Sequence, residues 1–219
     1  MKIRNKRKKI VVTALDNRGM NLLLEGDYES VCRLCDATYG EHSYKLLDEL
    51  VDKRLPGDVV EEGGVLWNTL WIGVNTENGE FIGAVHILGR PNENKELNIS
   101  LHPVIDFSDP AFSHVFERVC EWIFSHHTVY YLRVAPVSDG EIALLKHYNF
   151  VRNENDGFYE REKNRTSWTL IFLCLGVATG IGISQVFGGM AVGMAVGAVA
   201  GSLVGSVLDQ VDVTRRKPK

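Results

Sequence analysis

Apolar residues in the first three quarters of the chain recur at two different periods, and the change of period predicts which segments are strands and which are helices. Short apolar runs separated by turn-forming residues predict strands, and apolar spacings of three and four predict helices. From Pro110 onward the helical spacing is sustained, which indicates an amphipathic helix. Asp109 supplies an N-cap for this helix, and Pro110 supplies a first-turn proline.

The predicted order of elements in residues 10–165 is β-α-α-β-β-β-α-β-α-β-β, which indicates a mixed α/β domain with one central sheet. The first element comprises two strand-like runs around the turn sequence DNRG, Ile10–Leu15 and Met20–Leu24. The later strands are predicted at Val65–Val74, Phe81–Leu88, Leu97–Val104, Val129–Val134, Phe150–Val151 and Phe158–Arg161. The helices are predicted at Tyr28–Tyr39, at Ser43–Lys53, from Pro110, and after Ser138, which forms a capping box with Glu141.

The C-terminal part of the chain is uncharged over a long stretch, because residues 166–208 contain no Asp, Glu, Lys or Arg. One helix of that length would be roughly 64 Å long, about twice the thickness of a hydrocarbon core. We therefore predict a transmembrane hairpin with two spans, Thr166–Ser184 and Met190–Leu208. Glycine occupies every fourth position at 189, 193, 197, 201 and 205, which costs stability in water but allows close helix contact in lipid. A buried hairpin in a soluble core is the alternative.

Charge is distributed unevenly along the chain. The arm at residues 1–9 carries six basic and no acidic residues, whereas residues 10–165 carry 14 basic and 26 acidic residues. Basic residues flank both ends of the predicted hairpin, so the positive-inside rule places the domain and the basic tail at 209–219 in the cytoplasm. The arm either contacts anionic membrane lipid or is disordered. The acidic domain argues against nucleic acid as a partner, because phosphate neutralisation dominates such binding.

Cysteine and histidine residues do not form a recognisable metal site. Cys32 and Cys35 form the sequence CRLC without a second pair, and His126-His127 lacks the spacing of a zinc enzyme. We therefore predict buried thiols in a reducing cytosol and no metal site. Trp67 and Trp71 are predicted to share one strand face as core anchors.

Three segments of the domain resemble the GNAT-type N-acetyltransferase superfamily. NISLHP is similar to the fourth strand of those proteins, SDGEIALLKHYNF resembles their NPASIALYEKLGF segment, and GFYERE resembles their closing strand. The resemblance covers roughly Met20 to Lys163. It implies a GNAT-like sheet in which acyl-CoA lies between the fourth and fifth strands, and transfer of an acetyl or other acyl group to an amine.

The resemblance also implies which residues form the site. Contacts to acetyl-CoA, or to another acyl-CoA, are expected at Ile99, Leu101, Ile105, Phe107 and Ser108. Glu96 and His102 are candidate general bases. Tyr148 is the candidate acid, since Leu145 stands where many members have a tyrosine. The alternative for the two bases is an ordinary sheet-edge carboxylate and a strand-end histidine.

The loop VIDFSDPAF at residues 104–112 departs from the family pattern Q/R-x-x-G-x-G/A. It has no glycine and no basic residue, and Asp106 and Asp109 bring negative charge to the place where a pyrophosphate is expected. Two functions therefore stay open. One is a membrane-anchored N-acyltransferase, and the other is an inactive GNAT-shaped sensor or interaction module whose hairpin assembles a homo-oligomer through its glycine rows.

The membrane prediction can be tested by sedimentation. After cell lysis the full-length chain is expected in the ultracentrifugation pellet and should enter the supernatant when detergent is added, because the uncharged segment needs an apolar environment. A chain that ends at Arg165 is the matched control and is expected in the supernatant throughout. Recovery of the full-length chain in the detergent-free supernatant would contradict membrane anchoring.

Overall fold

The computed structural model describes residues 1–5, 9–52, 59–62, 65–163, 168–187 and 190–216. The chain divides into two compact units, Met1–Lys163 and Asn164–Lys219. The described part of unit 1 contains ten strands and five helices, and that of unit 2 contains two helices.

From Leu70 onward, unit 1 has the predicted order of strands and helices. Its strands are β1 Lys2–Asn5, β2 Ile10–Ala14, β3 Val60–Glu62, β4 Val65–Trp67, β5 Leu70–Asn75, β6 Phe81–Leu88, β7 Glu96–Pro103, β8 Tyr131–Val134, β9 Val151–Arg152 and β10 Tyr159–Glu162. Its helices are α1 Asn17–Leu24, α2 Tyr28–Leu34, α3 Glu41–Asp52, α4 Pro110–Ser125 and α5 Asp139–His147.

Eight strands form one central sheet in the order β1-β2-β5-β6-β7-β8-β10-β9, and β3 pairs separately with β4. Each neighbouring pair in the central sheet is antiparallel except β7 and β8, which are parallel. Helices cover both faces of the sheet, with α1, α2 and α3 on one face and α4 and α5 on the other. The prediction of a mixed α/β domain with one central sheet is confirmed.

An apolar core lies on each side of the sheet. Trp71, Phe112 and Phe116 are fully buried in the core beneath α4 and α5, which we call the α4 core. Leu23 and Leu47 are fully buried beneath α1, α2 and α3, in the α1–α3 core. Burial of each such side chain contributes about 1.5–3 kcal/mol to folding. Because both faces are covered, the central strands are apolar at successive positions.

The starts of α4 and α5 are as predicted. The Asp109 carboxylate accepts a hydrogen bond from the Ala111 amide at 2.9 Å, and the first turn of α4 contains a proline. The Ser138 hydroxyl accepts a hydrogen bond from the Glu141 amide at 3.2 Å. The Glu141 carboxylate accepts from the Val137 amide at 2.9 Å. These side chains satisfy amides that the first turn of each helix leaves unpaired.

The prediction of a strand at Met20–Leu24 is wrong, because these residues lie in α1. The Asp16 carboxylate accepts a hydrogen bond from the Gly19 amide at 2.9 Å and caps the helix. Met20 and Leu23 are buried on one face of α1. The sequence DNRG is therefore a helix start and not a hairpin turn, and so short an apolar run carries no periodicity that separates the two.

The predicted strand Val65–Val74 is interrupted at Asn68, whose φ is 54°. The Asn68 side-chain oxygen accepts a hydrogen bond from the Gly89 backbone amide at 3.1 Å. The Asn68 backbone amide donates to the Gly89 carbonyl at 3.2 Å. As a result β4 pairs with β3, whereas β5 joins the central sheet. Trp67 and Trp71 lie on different strands, contrary to the prediction, yet both are buried in the α4 core.

Part of the N-terminal arm is an edge strand. Lys2–Asn5 form β1, which pairs antiparallel with β2. The Lys2 ammonium donates to the Asp36 carboxylate at 2.6 Å. A disordered arm is therefore wrong for these residues, because ladder hydrogen bonds hold their backbone on the sheet. Residues 6–8 of the predicted arm lie outside the described residues.

Unit 2 contains α6 Trp168–Phe187 and α7 Met190–Arg216. The two helices run antiparallel and contact each other through bare backbone. A Cβ atom on Gly176 would lie 2.1 Å from the carbonyl oxygen of Gly197, and one on Gly180 would lie 2.1 Å from that of Gly193. These distances are far below van der Waals contact, so larger residues would force the helices apart.

The outward faces of α6 and α7 are apolar, with Leu175 and Leu203 among the exposed side chains. The hydroxyls of Thr179, Ser202 and Ser206 donate to carbonyls of their own helices at 2.9 Å. Such local hydrogen bonds satisfy polar side chains without water.

One described helix is long and apolar enough to cross a membrane, through Ala191–Leu208 of α7. The apolar stretch found in α6, Thr169–Gly182, is shorter than a full span. The second span and the cytoplasmic orientation therefore stay predictions. Residues 188–189, between the two predicted spans, lie outside the described residues.

The glycine contact predicts a difference between two substitutions in unit 2. Gly197→Leu should lower the melting temperature of the helices in detergent by several degrees, because the new side chain meets the backbone at Gly176. Gly182→Leu is the matched control, since a Cβ atom there meets nothing within 4 Å. Thermal unfolding followed by circular dichroism measures both. Equal melting temperatures for the two variants would contradict the contact.

Candidate functional site

The parallel strands β7 and β8 part in the middle of the sheet. Their register runs from Glu96 opposite Tyr131 to Ile99 opposite Val134, where β8 ends. Residues 100–103 of β7 continue beyond that point and pair with β6 on the other side. Backbone pairing between the two strands therefore stops before the carboxyl end of β7, and this is the sheet edge where ligands bind in many sheets of parallel strands. We call the place where the pairing stops the β7–β8 split.

The loop between β7 and α4 borders the split and satisfies its own amides. The Asp106 carboxylate accepts hydrogen bonds from the amide and the hydroxyl of Ser108, both at 2.6 Å. These hydrogen bonds lower the pKa of Asp106, so the side chain is ionised at neutral pH. The Asp109 carboxylate accepts the hydrogen bond of the Ala111 amide, and Pro110 has no amide hydrogen to donate.

Phe107 fills the space between this loop and the start of α5. Its ring packs edge to face against Phe112 with a centroid distance of 6.0 Å. A Cβ atom on Gly140 would lie 3.6 Å from Cβ of Phe107, which is ordinary contact distance. The Phe107 side chain therefore lies close to Gly140 in the first turn of α5.

These residues do not fit the pyrophosphate of acyl-CoA. A phosphate at a helix start needs unoccupied amides, open space and no competing negative charge. Here the chain's own carboxylates take the amides of Ser108 and Ala111, and Phe107 occupies the space.

The five residues predicted to contact the cofactor differ in burial and in the element on which they lie. Ile99 and Leu101 are buried in the α4 core, on the α4 side of the split. Ile105 is 76% exposed at the tip of the loop. Phe107 and Ser108 lie between them, engaged within the loop as described above. The strand positions therefore line the interior, and the loop positions are already occupied by intramolecular contacts.

The predicted catalytic residues are not brought together. His102 and Glu96 share one face of β7, but they are six positions apart, so their Cα atoms are separated by about 20 Å. The Glu96 carboxylate accepts from the Asn92 amide group at 2.8 Å and lies 3.5 Å from the Arg133 guanidinium. His102 is 9% exposed, and its Nε2 atom lies 3.0 Å from the Ser100 hydroxyl, beside the split.

Tyr148 lies on the opposite face of the sheet, at the C-terminal end of α5. Its hydroxyl donates to the Ser113 carbonyl at 2.9 Å and lies 2.7 Å from the Ser113 hydroxyl. The ring packs edge to face on Phe116 with a centroid distance of 5.2 Å. Burial raises the pKa of Tyr148. These contacts give the side chain a structural role between α4 and α5.

Sequence reasoning missed His86 and Ser100, which lie directly opposite each other on β6 and β7. His86 is 2% exposed, and its Nε2 atom has no hydrogen-bond partner among the described residues. Burial lowers the pKa of His86 to about 4. A signal was available, because a histidine inside the apolar run FIGAVHIL is unusual for a strand buried on both faces. With His102, these residues form a polar cluster that can accept and donate hydrogen bonds beside the split.

A cavity of about 620 Å³ opens at the other end of β7, between the loop after β6, the β3–β4 hairpin and the C-terminal end of α4. Trp67, Arg90, Lys95 and His126 are among the residues that line it. No group of three or more His, Cys, Asp or Glu side chains that could hold a metal ion occurs in the described part of the chain.

Comparison with known proteins gives structural matches only. No protein-family model matches the chain, and no curated protein matches it. A ribosomal-protein alanine acetyltransferase from Vibrio fischeri is 9% identical, with a TM-score of 0.46 over 75% of this chain and 97% of that chain. Mutant forms of a spermidine/spermine N-acetyltransferase from Vibrio cholerae are 12% identical, with a TM-score of 0.43 over 70% and 95%. A ribosomal-protein α-N-acetyltransferase in complex with coenzyme A is 10% identical, with a TM-score of 0.43 over 74% and 98%.

Burial of His86 predicts a pH-dependent stability. An unfolded histidine binds a proton below pH 6.5, whereas His86 in the folded chain stays neutral down to about pH 4. The free energy of unfolding should therefore fall as the pH drops between these values, by up to roughly 3 kcal/mol from this residue. The variant His86→Leu lacks the titration, so the difference between wild type and variant isolates the effect. Denaturant unfolding at pH 7 and pH 4.5 measures it, and a difference that is independent of pH would contradict burial of a neutral imidazole.

Proposed function

We propose that the chain is a membrane-anchored, GNAT-shaped binding module that does not use acyl-CoA. The observation that supports this most directly is the loop between β7 and α4, in which Asp106, Phe107 and Asp109 occupy the amides and the space that a pyrophosphate would need. Shape alone does not make such a domain an enzyme, because function depends on the site.

Electrostatics at the loop supports the same proposal. Asp106 is ionised at neutral pH, as its lowered pKa indicates, and lies beside the start of α4. A pyrophosphate placed there would meet like charges, each worth about 1 kcal/mol at 4 Å even in bulk water. The positive end of the α4 dipole is already compensated by the Asp109 cap.

The proposal of membrane anchoring is supported by unit 2. Ala191–Leu208 of α7 passes the length and composition test for a span. Helix α6 has 20 residues, a length of about 30 Å that matches a hydrocarbon core. Basic residues flank both helices in the sequence, so we propose two spans with the domain and the C-terminus on the cytoplasmic side of the cell membrane.

Membrane lipid is thus the first proposed partner, and a second copy of the chain is the next. The glycine rows of α6 and α7 already contact each other within one chain. A homo-oligomer through these rows would therefore require copies to exchange helices, as in domain swapping.

Acyl transfer to an amine is the second candidate function, and the β7–β8 split favours it. His102 and Ser100 lie beside the split, and a neutral imidazole there could accept a proton from an amine. Glu96 pairs with Arg133, and its Cα atom is about 20 Å from that of His102. His102 is therefore the better-placed base. Catalysis would come mainly from holding the amine beside the acyl group.

Titration with acetyl-CoA separates the two functions. Full-length protein in mild detergent is expected to show no saturable binding by calorimetry up to about 1 mM acetyl-CoA, the upper end of ordinary enzyme KM values. The loop is the reason, since the Asp106 and Asp109 carboxylates take the Ser108 and Ala111 amides and bring negative charge to the place of the pyrophosphate. A coenzyme A-binding acetyltransferase measured under the same conditions is the positive control.

Saturable binding of acetyl-CoA in the micromolar range would overturn the module proposal and support the enzyme. In that case a panel of amines, followed by release of free thiol, tests transfer. His102→Gln should then lower kcat by at least about 100-fold, as expected for loss of a general base. Arg118→Gln, at an exposed position of α4 where Arg118 pairs with Glu121, should leave kcat unchanged.

A further inference from the structure

The cavity of about 620 Å³ lies at the start of β7, whereas the loop that excludes the pyrophosphate follows its end. Eight residues of extended strand separate the two places by about 26 Å. The cavity is therefore independent of the β7–β8 split, and its volume lies in the range of small-molecule sites.

The floor of the cavity is apolar and fixed in position. Val65, Trp67 and Pro91 contribute to the lining. The ring of Trp67 packs edge to face on His126 with a centroid distance of 5.9 Å. His126 Nδ1 lies 2.9 Å from the Trp122 carbonyl oxygen, which orients the imidazole. An apolar group of a ligand would meet a preformed surface here.

The wall of the cavity carries charges of both signs that are only loosely paired. Arg90 Nη1 lies 3.4 Å from a Glu62 carboxylate oxygen, and the two side chains are 54% and 65% exposed. Both residues line the cavity. An ion pair this exposed contributes little to stability, so a ligand can readily separate the two partners.

We propose that this cavity binds a small zwitterion with an apolar side group, of the kind represented by an aliphatic α-amino acid. The carboxylate of the ligand pairs with Arg90, its ammonium group pairs with Glu62, and its side group lies on Trp67 and Pro91. This assignment gives the proposed binding module a ligand and rests on that function. A zwitterion fits better than a singly charged ligand, because the latter would leave either Arg90 or Glu62 without its counter-charge.

Leucine and its two blocked forms test the charge requirement. Full-length protein in mild detergent is titrated with leucine, with leucine methyl ester, which keeps only the ammonium group, and with N-acetyl-leucine, which keeps only the carboxylate. Leucine is expected to bind saturably, and each blocked form at least about tenfold more weakly. Absence of saturable leucine binding, or equal binding of a blocked form, overturns the proposal.

Variants at exposed positions locate the site without endangering the fold. Arg90→Gln and Glu62→Gln should each weaken leucine binding at least about tenfold. Arg118→Gln is the matched control, because Arg118 forms a comparable exposed pair with Glu121 at 2.8 Å and lies outside the cavity. A loss in Arg118→Gln equal to that in Arg90→Gln overturns the assignment.

The leucine and acetyl-CoA titrations together separate failure of the cavity assignment from failure of the module proposal. If acetyl-CoA binds and leucine also binds with the expected losses, the cavity stands and the module proposal fails. If neither ligand binds, the module proposal survives and the cavity assignment is overturned.

Discussion

The architecture of unit 1 depends on how Arg133 ties the parallel strands together. Its guanidinium pairs with the carboxylates of Glu96, Asp156 and Glu160, and it lies over the ring of Phe158 with a distance of 4.5 Å to the centroid. The side chain is only 15% exposed, so loss of these partners would leave a largely buried charge uncompensated. The network fastens β7, β8 and β10 to one another at one end. Backbone pairing of β7 with β8 ends one position further along, at Ile99 and Val134.

What the split can hold is decided by the loop that follows β7. The amides at a helix start can be satisfied by a bound anion or by the chain's own carboxylates, and the two solutions exclude each other. Asp106 and Asp109 supply the second solution, and the Phe107 side chain lies close to Gly140 of α5. The same fold can therefore offer a phosphate site in one sequence and none in another. The shape of the domain therefore does not by itself determine whether a phosphate group can bind at this helix start.

Features carried by neighbouring residues could be predicted from the sequence, whereas features that arise between distant segments could not. The start of α4 followed from Asp109 and Pro110, and that of α5 from Ser138. The acids of the β7–α4 loop could also be identified in the sequence. The proximity of Phe107 to Gly140 of α5 could not, since the fold brings together two segments that are distant in the sequence.

The polar cluster beside the split shows the same limit. His86 and Ser100 meet because β6 and β7 pair in one particular register, and a shift by one residue would place them on opposite faces. His102 was predicted from its place near the strand end, but its contact with Ser100 depends on the strand being extended there. Single residues of the site could therefore be predicted from the sequence, but the contacts between them could not.

Unit 2 combines backbone contact between its two helices with apolar outward faces, and both features favour an apolar environment. Each step of four along α6, from Gly176 to Gly180, is matched by a step of four back along α7, from Gly197 to Gly193. Every such glycine costs about 1 kcal/mol of helix propensity, which close packing must offset. In water the apolar groups would instead be expected between the helices, with polar groups outside, and the outward faces are apolar. The proposed lipid environment would account for both features, because lipid would solvate the apolar exterior and leave backbone contact as the main attraction between the helices.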